Sequence, residues 1–159
     1  MNSRLRSLAI IAGVVILDRI TKLYIRENFS SWDTKVVIDG FFNVVHAENP
    51  GAAFGFLSDS HSELRGVFLV GVSLAVMAII GTMLFRESVK KSQLLEVALA
   101  LVFGGAAGNM WDRLIRGSVT DFLQLFFGSY EFPSFNAADS AITVGACLLV
   151  IDLWIHRGK

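Results

Sequence analysis

The chain has 159 residues, enough for one compact unit and too few for a second sizeable domain. Apolar residues make up 53% and charged residues 18%, with a mean hydropathy of +0.58; soluble domains hold ~45–50% and ~25%, so the balance is that of a membrane protein. Only 2 prolines exclude a proline-rich disordered chain, and 14 basic against 14 acidic residues leave no basic surplus for binding nucleic acid.

In chain order, the first apolar run is LAIIAGVVIL, preceded by Arg4 and Arg6. It has the length of a signal-peptide core, but no small-residue cleavage site follows it. Apolar residues continue on one face through Ile16, Leu17, Ile20, Leu23 and Tyr24, which predicts an uncleaved spanning helix over 7–25. In the segment 27–65, KVVIDGFFNVVH alternates, is β-branched and carries Asp39-Gly40 at its middle, the signal of a short hairpin. NPGAAFG (49–55) reads as a turn entering a short helix.

The run 66–85 contains no charge and matches the ~20 residues needed to cross ~30 Å of hydrocarbon. A third span covers 94–111, interrupted only by Glu96, and a fourth covers 137–155, with Asp139 and Asp152 at its two ends. Between them, the segment 115–135 contains FLQLFFGSYEF, aromatic enough for the membrane interface. The expected fold is mainly α: one domain over 1–159, a four-transmembrane-helix bundle with a small extracytoplasmic β platform. Four crossings put both termini on one side. That side carries Arg4, Arg6, Arg86, Lys90, Lys91, Arg157 and Lys159, against Arg26, Lys35, Arg65, Arg113 and Arg116 opposite, so positive charge favours cytoplasmic termini.

Ionisable groups in spanning segments cost ~2.5–3.5 kcal/mol each on insertion scales and normally mark function. They gather here at the outward ends: Asp18, Arg19 and Lys22 in the first span, Asn109, Asp112 and Arg113 in the third, Asn136 and Asp139 at the fourth, with Asp121 just beyond the third. The inward ends look featureless. Asn109 and Arg113 share a helix face, as do Asn136 and Asp139. Asp18–Lys22 and Asp112–Arg113 fit either structural ion pairs or site residues. Asp121 and Asp139 have no basic residue within four positions, which points to chemistry. Two carboxylates in a partly dry site share one proton, so one can act as base and the other as acid, as in aspartic proteases. Gly104 and Gly108 form a small-xxx-small pattern that suits close helix packing or leaves room for a substrate helix. Cys147, the only cysteine, reads as a small buried hydrophobe, and no histidine spacing marks a metal site.

Five stretches, DRITK (18–22), ENPGAAFG (48–55), GGAAGNMWDR (104–113), GSVTDF (117–122) and FNAADSAI (135–142), together resemble bacterial lipoprotein signal peptidase, the type II signal peptidase. They stand in that family's order and span nearly the whole chain. The resemblance implies an aspartyl endopeptidase of the bacterial inner membrane with Asp121 and Asp139 as its catalytic pair. It implies Asn49, Gly51, Asn109, Arg113 and Asn136 as site-lining residues, with Asp18, Lys22 and Asp112 in support. It also implies diacylglyceryl-modified prolipoproteins as substrates, cut on the amino side of the lipidated cysteine, inhibition by globomycin, and no cofactor. A monomer satisfies everything in the sequence. Two rival classes stay open at this stage. A proton-coupled transporter would stagger its acidic groups through the bilayer, and a non-enzymatic assembly factor would use its polar residues for helix packing.

Overall fold

The computed structural model describes residues 2–31, 33–51, 62–84, 86 and 92–157; of 62–65 only the backbone is described. Among these residues four helices and four strands follow in the order α1 (Ser3–Asn28), β1 (Thr34–Ile38), β2 (Phe42–Asn49), α2 (Ser62–Leu84), α3 (Gln93–Arg116), β3 (Val119–Phe127), β4 (Tyr130–Phe135) and α4 (Ala137–Ile155). The expected fourth span coincides with α4. The third helix runs five residues past its expected end, because Asp112, Arg113 and Arg116 continue the helix beyond its apolar part. It stops at Gly117, which takes the left-handed conformation at φ 76°.

The bundle is inside out relative to a soluble protein. The buried residues of α1 are Ser7, Asp18, Lys22 and Ile25, whereas Leu8, Ile16, Leu17, Ile20, Leu23 and Tyr24 are exposed. The same holds for α2 and α4, where Val67, Phe68, Ile79, Val150, Leu153 and Trp154 face outward. Apolar side chains outside and charged ones inside is the solvation expected in lipid. Cys147 follows this rule: the expectation of burial fails, and it is exposed on α4, where hydrocarbon takes the place of a protein core. Among the described residues three helices, α2 from Gly66, α3 and α4, are long and apolar enough to cross a membrane. The apolar part of α1 is interrupted by three charges, Asp18, Arg19 and Lys22.

The central helix is α3, packed against α1, α2 and α4. Small residues make the approach possible. A Cβ at Gly105 would lie 2.4 Å from the carbonyl oxygen of Ala138 on α4, and one at Gly108 would lie 2.7 Å from Asp18 Oδ2 on α1. The Gly104–Gly108 pattern therefore serves helix packing, with Gly104 against Val14 of α1.

The sheet is antiparallel, in the order β1-β2-β3-β4. The Asp39-Gly40 hairpin forms as expected, with Gly40 at φ 65°. The stretch read as aromatic enough for the membrane interface forms a second hairpin, β3–β4, turning at Gly128 with φ 64°. Backbone amides at an interface still need partners, and pairing β3 with β2 supplies them. The sheet sits where α1 and α3 end and α4 begins. Arg26 of α1 donates to Thr120 Oγ1 of β3 at 2.8 Å, and His46 Nδ1 of β2 lies 2.8 Å from the carbonyl oxygen of Phe29.

The opposite end was expected to be featureless and is not. There Glu96, 1% exposed, pairs with Arg6 and accepts from Ser7 Oγ at 2.7 Å. Ser92, the N-cap of α3, donates to Asp152 Oδ1 of α4 at 2.6 Å. These bonds bring the start of α1, the start of α3 and the end of α4 together at the end of the bundle away from the sheet. The sequence hides this cluster because Arg6, Glu96 and Asp152 are far apart along the chain.

Candidate active site

Asn136 organises the sheet end of the bundle. It is fully buried and is the N-cap of α4: its Oδ1 accepts from the Asp139 backbone N–H at 3.0 Å, and Asp139 Oδ2 accepts from the Asn136 backbone N–H at 3.2 Å. This reciprocal capping box fixes the rotamers of both side chains. The remaining part of Asn136, its Nδ2, donates to Asp121 Oδ1 at 2.7 Å and to Asn109 Oδ1 at 3.2 Å. Asn109 Nδ2 in turn donates to Asp139 Oδ1 at 2.7 Å. One asparagine thus touches both aspartates, and a second closes the ring.

Asp121 enters from β3, where it stands in register with Ala47 of β2. Its Oδ2 accepts from Asn49 Nδ2 at 2.9 Å, and Asn49 Oδ1 accepts from the Gly51 N–H at 2.9 Å. Burial pushes the Asp121 carboxyl up to about 7, and the nearby Asp139 carboxylate adds to the rise. The Asn49 and Asn136 amides and the Lys22 charge act against the rise without cancelling it. Arg113 reaches across the site, donating from Nη2 to the Gly51 carbonyl oxygen at 3.3 Å.

Asn49, Gly51, Asn109, Arg113, Asp121 and Asp139 line one cavity of about 920 Å³. Away from this polar end the walls are apolar, with Leu125, Phe132 and Phe135 from the second hairpin facing Ile142 and Val144 of α4. Of the residues expected to line the site, Asn136 lies beneath the cavity and holds the two aspartates from there. Residues 52–55, the expected short helix after the NPG turn, lie outside the described residues.

Asp18, Lys22 and Asp112 form a layer behind the cavity. The Lys22 ammonium, fully buried, donates to Asp18 Oδ2 at 2.8 Å and to Asn109 Oδ1 at 3.0 Å. It also stands 2.9 Å from Asp112 Oδ2, an ion-pair contact without hydrogen-bond alignment. Asp18–Lys22 is the structural pair expected from their spacing, whereas Asp112–Arg113 is not a pair. Neighbours on a helix point ~100° apart, so Arg113 faces the cavity while Asp112 faces α1. There Asp112 Oδ1 takes Arg19 at 2.6 Å and Arg26 at 2.9 Å.

Glu48 was not singled out in the sequence, although it precedes Asn49 in the motif. It lines the cavity and accepts from Ser118 Oγ at 2.5 Å and Thr120 Oγ1 at 2.9 Å. Burial alone would raise its carboxyl, but these hydroxyls, His46 and the Arg26 charge hold it below the usual carboxylate range. The missed signal was a carboxylate on a strand facing hydroxyls at alternate positions, Ser118 and Thr120.

A sequence profile described as Signal peptidase (SPase) II matches residues 10–155. A lipoprotein signal peptidase of Solibacter usitatus is 47% identical over 154 residues, covering 94% of this chain and 91% of its own length. One from Syntrophus aciditrophicus is 43% identical, covering 91% and 89%. The fold is similar to a solved structure described as a bacterial membrane enzyme at 2.3 Å resolution, with a TM-score of 0.86 and 32% identity over 97% of this chain and 92% of that one. The match spans every element that builds the cavity, and the chain belongs to the signal peptidase II family.

Proposed function

We propose that this chain is a membrane-embedded aspartyl endopeptidase that removes the signal peptide from diacylglyceryl-modified prolipoproteins, cutting on the amino side of the lipidated cysteine. The observation that carries the reading is Asn136, which holds Asp121 with its side chain and Asp139 through its backbone on one wall of one cavity. With one proton between them, one aspartate takes a proton from water as the water oxygen attacks the scissile carbonyl. The other gives its proton to the carbonyl oxygen. The tetrahedral intermediate then collapses, the C–N bond breaks and the amine leaves with a proton, so the net change is the addition of one water.

The remaining residues have matching tasks. Arg113 lines the cavity with Nη2 on the Gly51 carbonyl oxygen, a guanidinium placed to hold a substrate backbone carbonyl. Asn49 and Gly51 line the approach of the extended peptide. The apolar walls between the second hairpin and α4 suit acyl chains, which would also make the cavity the seat of globomycin-type inhibitors. Substrate arrives by lateral diffusion in the bilayer, among membrane lipids.

In this reading α1 is a fourth span, its polar stripe hidden against α3. The termini are cytoplasmic and the sheet end faces outward in the inner membrane, as the distribution of lysine and arginine favours. The protein works as a monomer, because the described residues of one chain furnish both aspartates. Detergent-purified protein should release the signal peptide from a diacylglyceryl prolipoprotein and leave the unlipidated precursor intact; cleavage of both forms equally, or of neither, would refute the assignment.

A further inference from the structure

The two aspartates are held almost symmetrically: each accepts two N–H donors, Asp121 from Asn49 and Asn136, Asp139 from Asn109 and Asn136. What breaks the symmetry lies one residue deeper. The Lys22 ammonium makes two aligned hydrogen bonds, and one of them goes not to a carboxylate but to Asn109 Oδ1. Asn109 passes that polarity on through Nδ2 to Asp139 Oδ1.

Nothing in the ion-pair layer requires this bond. Asp112 already has Arg19 and Arg26 on Oδ1, and Asp18 Oδ1 accepts the Ala138 N–H at 3.1 Å. Arg26 is shared between Asp112 and, through Thr120, Glu48, so Lys22 is the cation of this layer that reaches toward the aspartates. Asn109 is its hydrogen-bonded link to the cavity. An amide whose oxygen binds a cation is a stronger donor at its nitrogen, an effect that low dielectric enlarges.

We propose that Lys22 is a positioning residue for the reaction: acting through Asn109, it sets Asp139 as the aspartate that takes the proton from water, with Asp121 as the one that gives its proton to the carbonyl oxygen. This rests on the peptidase reading above and adds to it the division of labour. Three further facts agree. Asp139 sits in the first turn of α4, where the helix dipole favours an anion. Asp121 lies on a strand without a helix dipole, and burial favours its protonated form over the opposing effect of the Lys22 charge. The charged groups facing Asp139 from the packed elements are Lys22 with Asp18 on α1, Arg113 on α3, Asp121 on β3 and, across the cavity, Glu48 on β2. Among these cations only Lys22 is bonded to the amide that binds Asp139.

The test compares Lys22→Met, Lys22→Arg and the charge-balanced pair Lys22→Met/Asp18→Asn, each in detergent with a diacylglyceryl peptide substrate. The amide oxygen that Asp18→Asn leaves in place would still accept the Ala138 N–H, so the balanced pair keeps a folded protein should the single variant unfold. Removing the ammonium should lower kcat about tenfold at neutral pH and move the acid limb of its pH profile up by about one unit. KM should change less than about threefold, and Lys22→Arg should recover part of the rate. In an Asn109→Ser background the lysine change should move the acid limb no further. A folded balanced pair with an unshifted acid limb, or a loss confined to KM, overturns the proposal. Failure of the unaltered protein to cleave, or turnover by Asp121→Asn or Asp139→Asn, would instead overturn the peptidase reading on which it rests.

Discussion

Asn136 Nδ2 donates to Asp121 Oδ1 at 2.7 Å while the backbone N–H of the same asparagine donates to Asp139. Helix capping and the spacing of the two acids are therefore one device: the turn that starts α4 also sets the site.

This makes Asn136→Ala a double loss. Removing an N-cap costs ~1 kcal/mol of stability. Freeing both aspartates from a common anchor should cost about a hundredfold in kcat, since sub-ångström placement is what such anchors supply. Thermal unfolding in detergent and steady-state cleavage read the two effects separately.

Gly105 touches no substrate, yet Gly105→Ala should impair turnover. Its added Cβ would sit 2.4 Å from the Ala138 carbonyl oxygen, backbone that cannot step aside without moving α4 and Asp139 with it. Overpacking of this kind costs ~1–3 kcal/mol. A lowered melting temperature together with a lowered kcat is the expected result, and Cys147→Ala on the exposed face of α4 is the silent control.

The raised Asp121 carboxyl predicts a pH dependence with a definite sign. Folding lifts it from the usual carboxylate value to about 7, so between these limits the folded state binds more protons than the unfolded one. Its contribution to stability is thus lost as pH rises through that window, and Asp121→Asn should flatten the fall. The single shared proton also leaves the free enzyme near pH 7, so kcat/KM should decline on the alkaline side of about 7. Melting curves and initial rates across pH 5 to 9 check both.

Thr120 joins the platform to the bundle: its hydroxyl accepts from Arg26 and donates to Glu48, and the side chain is fully buried. Thr120→Val keeps the shape and leaves the Arg26 guanidinium and the half-buried Glu48 carboxylate each short of a partner, which should cost ~1–3 kcal/mol. Hydrogen exchange in β2 and β3 should rise before exchange in α3 does.

The sequence shows the helices because hydropathy runs need no tertiary knowledge; 66–85 and 137–155 could be read off directly. It draws attention to Asp121 and Asp139 because carboxylates without nearby cations stand out in apolar surroundings, and the fold brings both to one cavity. It conceals what long-range pairing decides. The second hairpin was masked by aromatic residues that suit an interface equally well. The partners of Asp112 lie on α1, 86 to 93 positions away, so the neighbouring Arg113 was a misleading candidate. The Glu96 cluster was invisible for the same reason. Glu48 hid within a motif whose asparagine drew the attention.

The most direct test is cleavage of a diacylglyceryl prolipoprotein by purified protein with either aspartate replaced isosterically. Asp121→Asn and Asp139→Asn should each remain folded and membrane-inserted and release no signal peptide above background. Turnover near that of the unaltered protein by either one would contradict a shared-proton pair at Asp121 and Asp139.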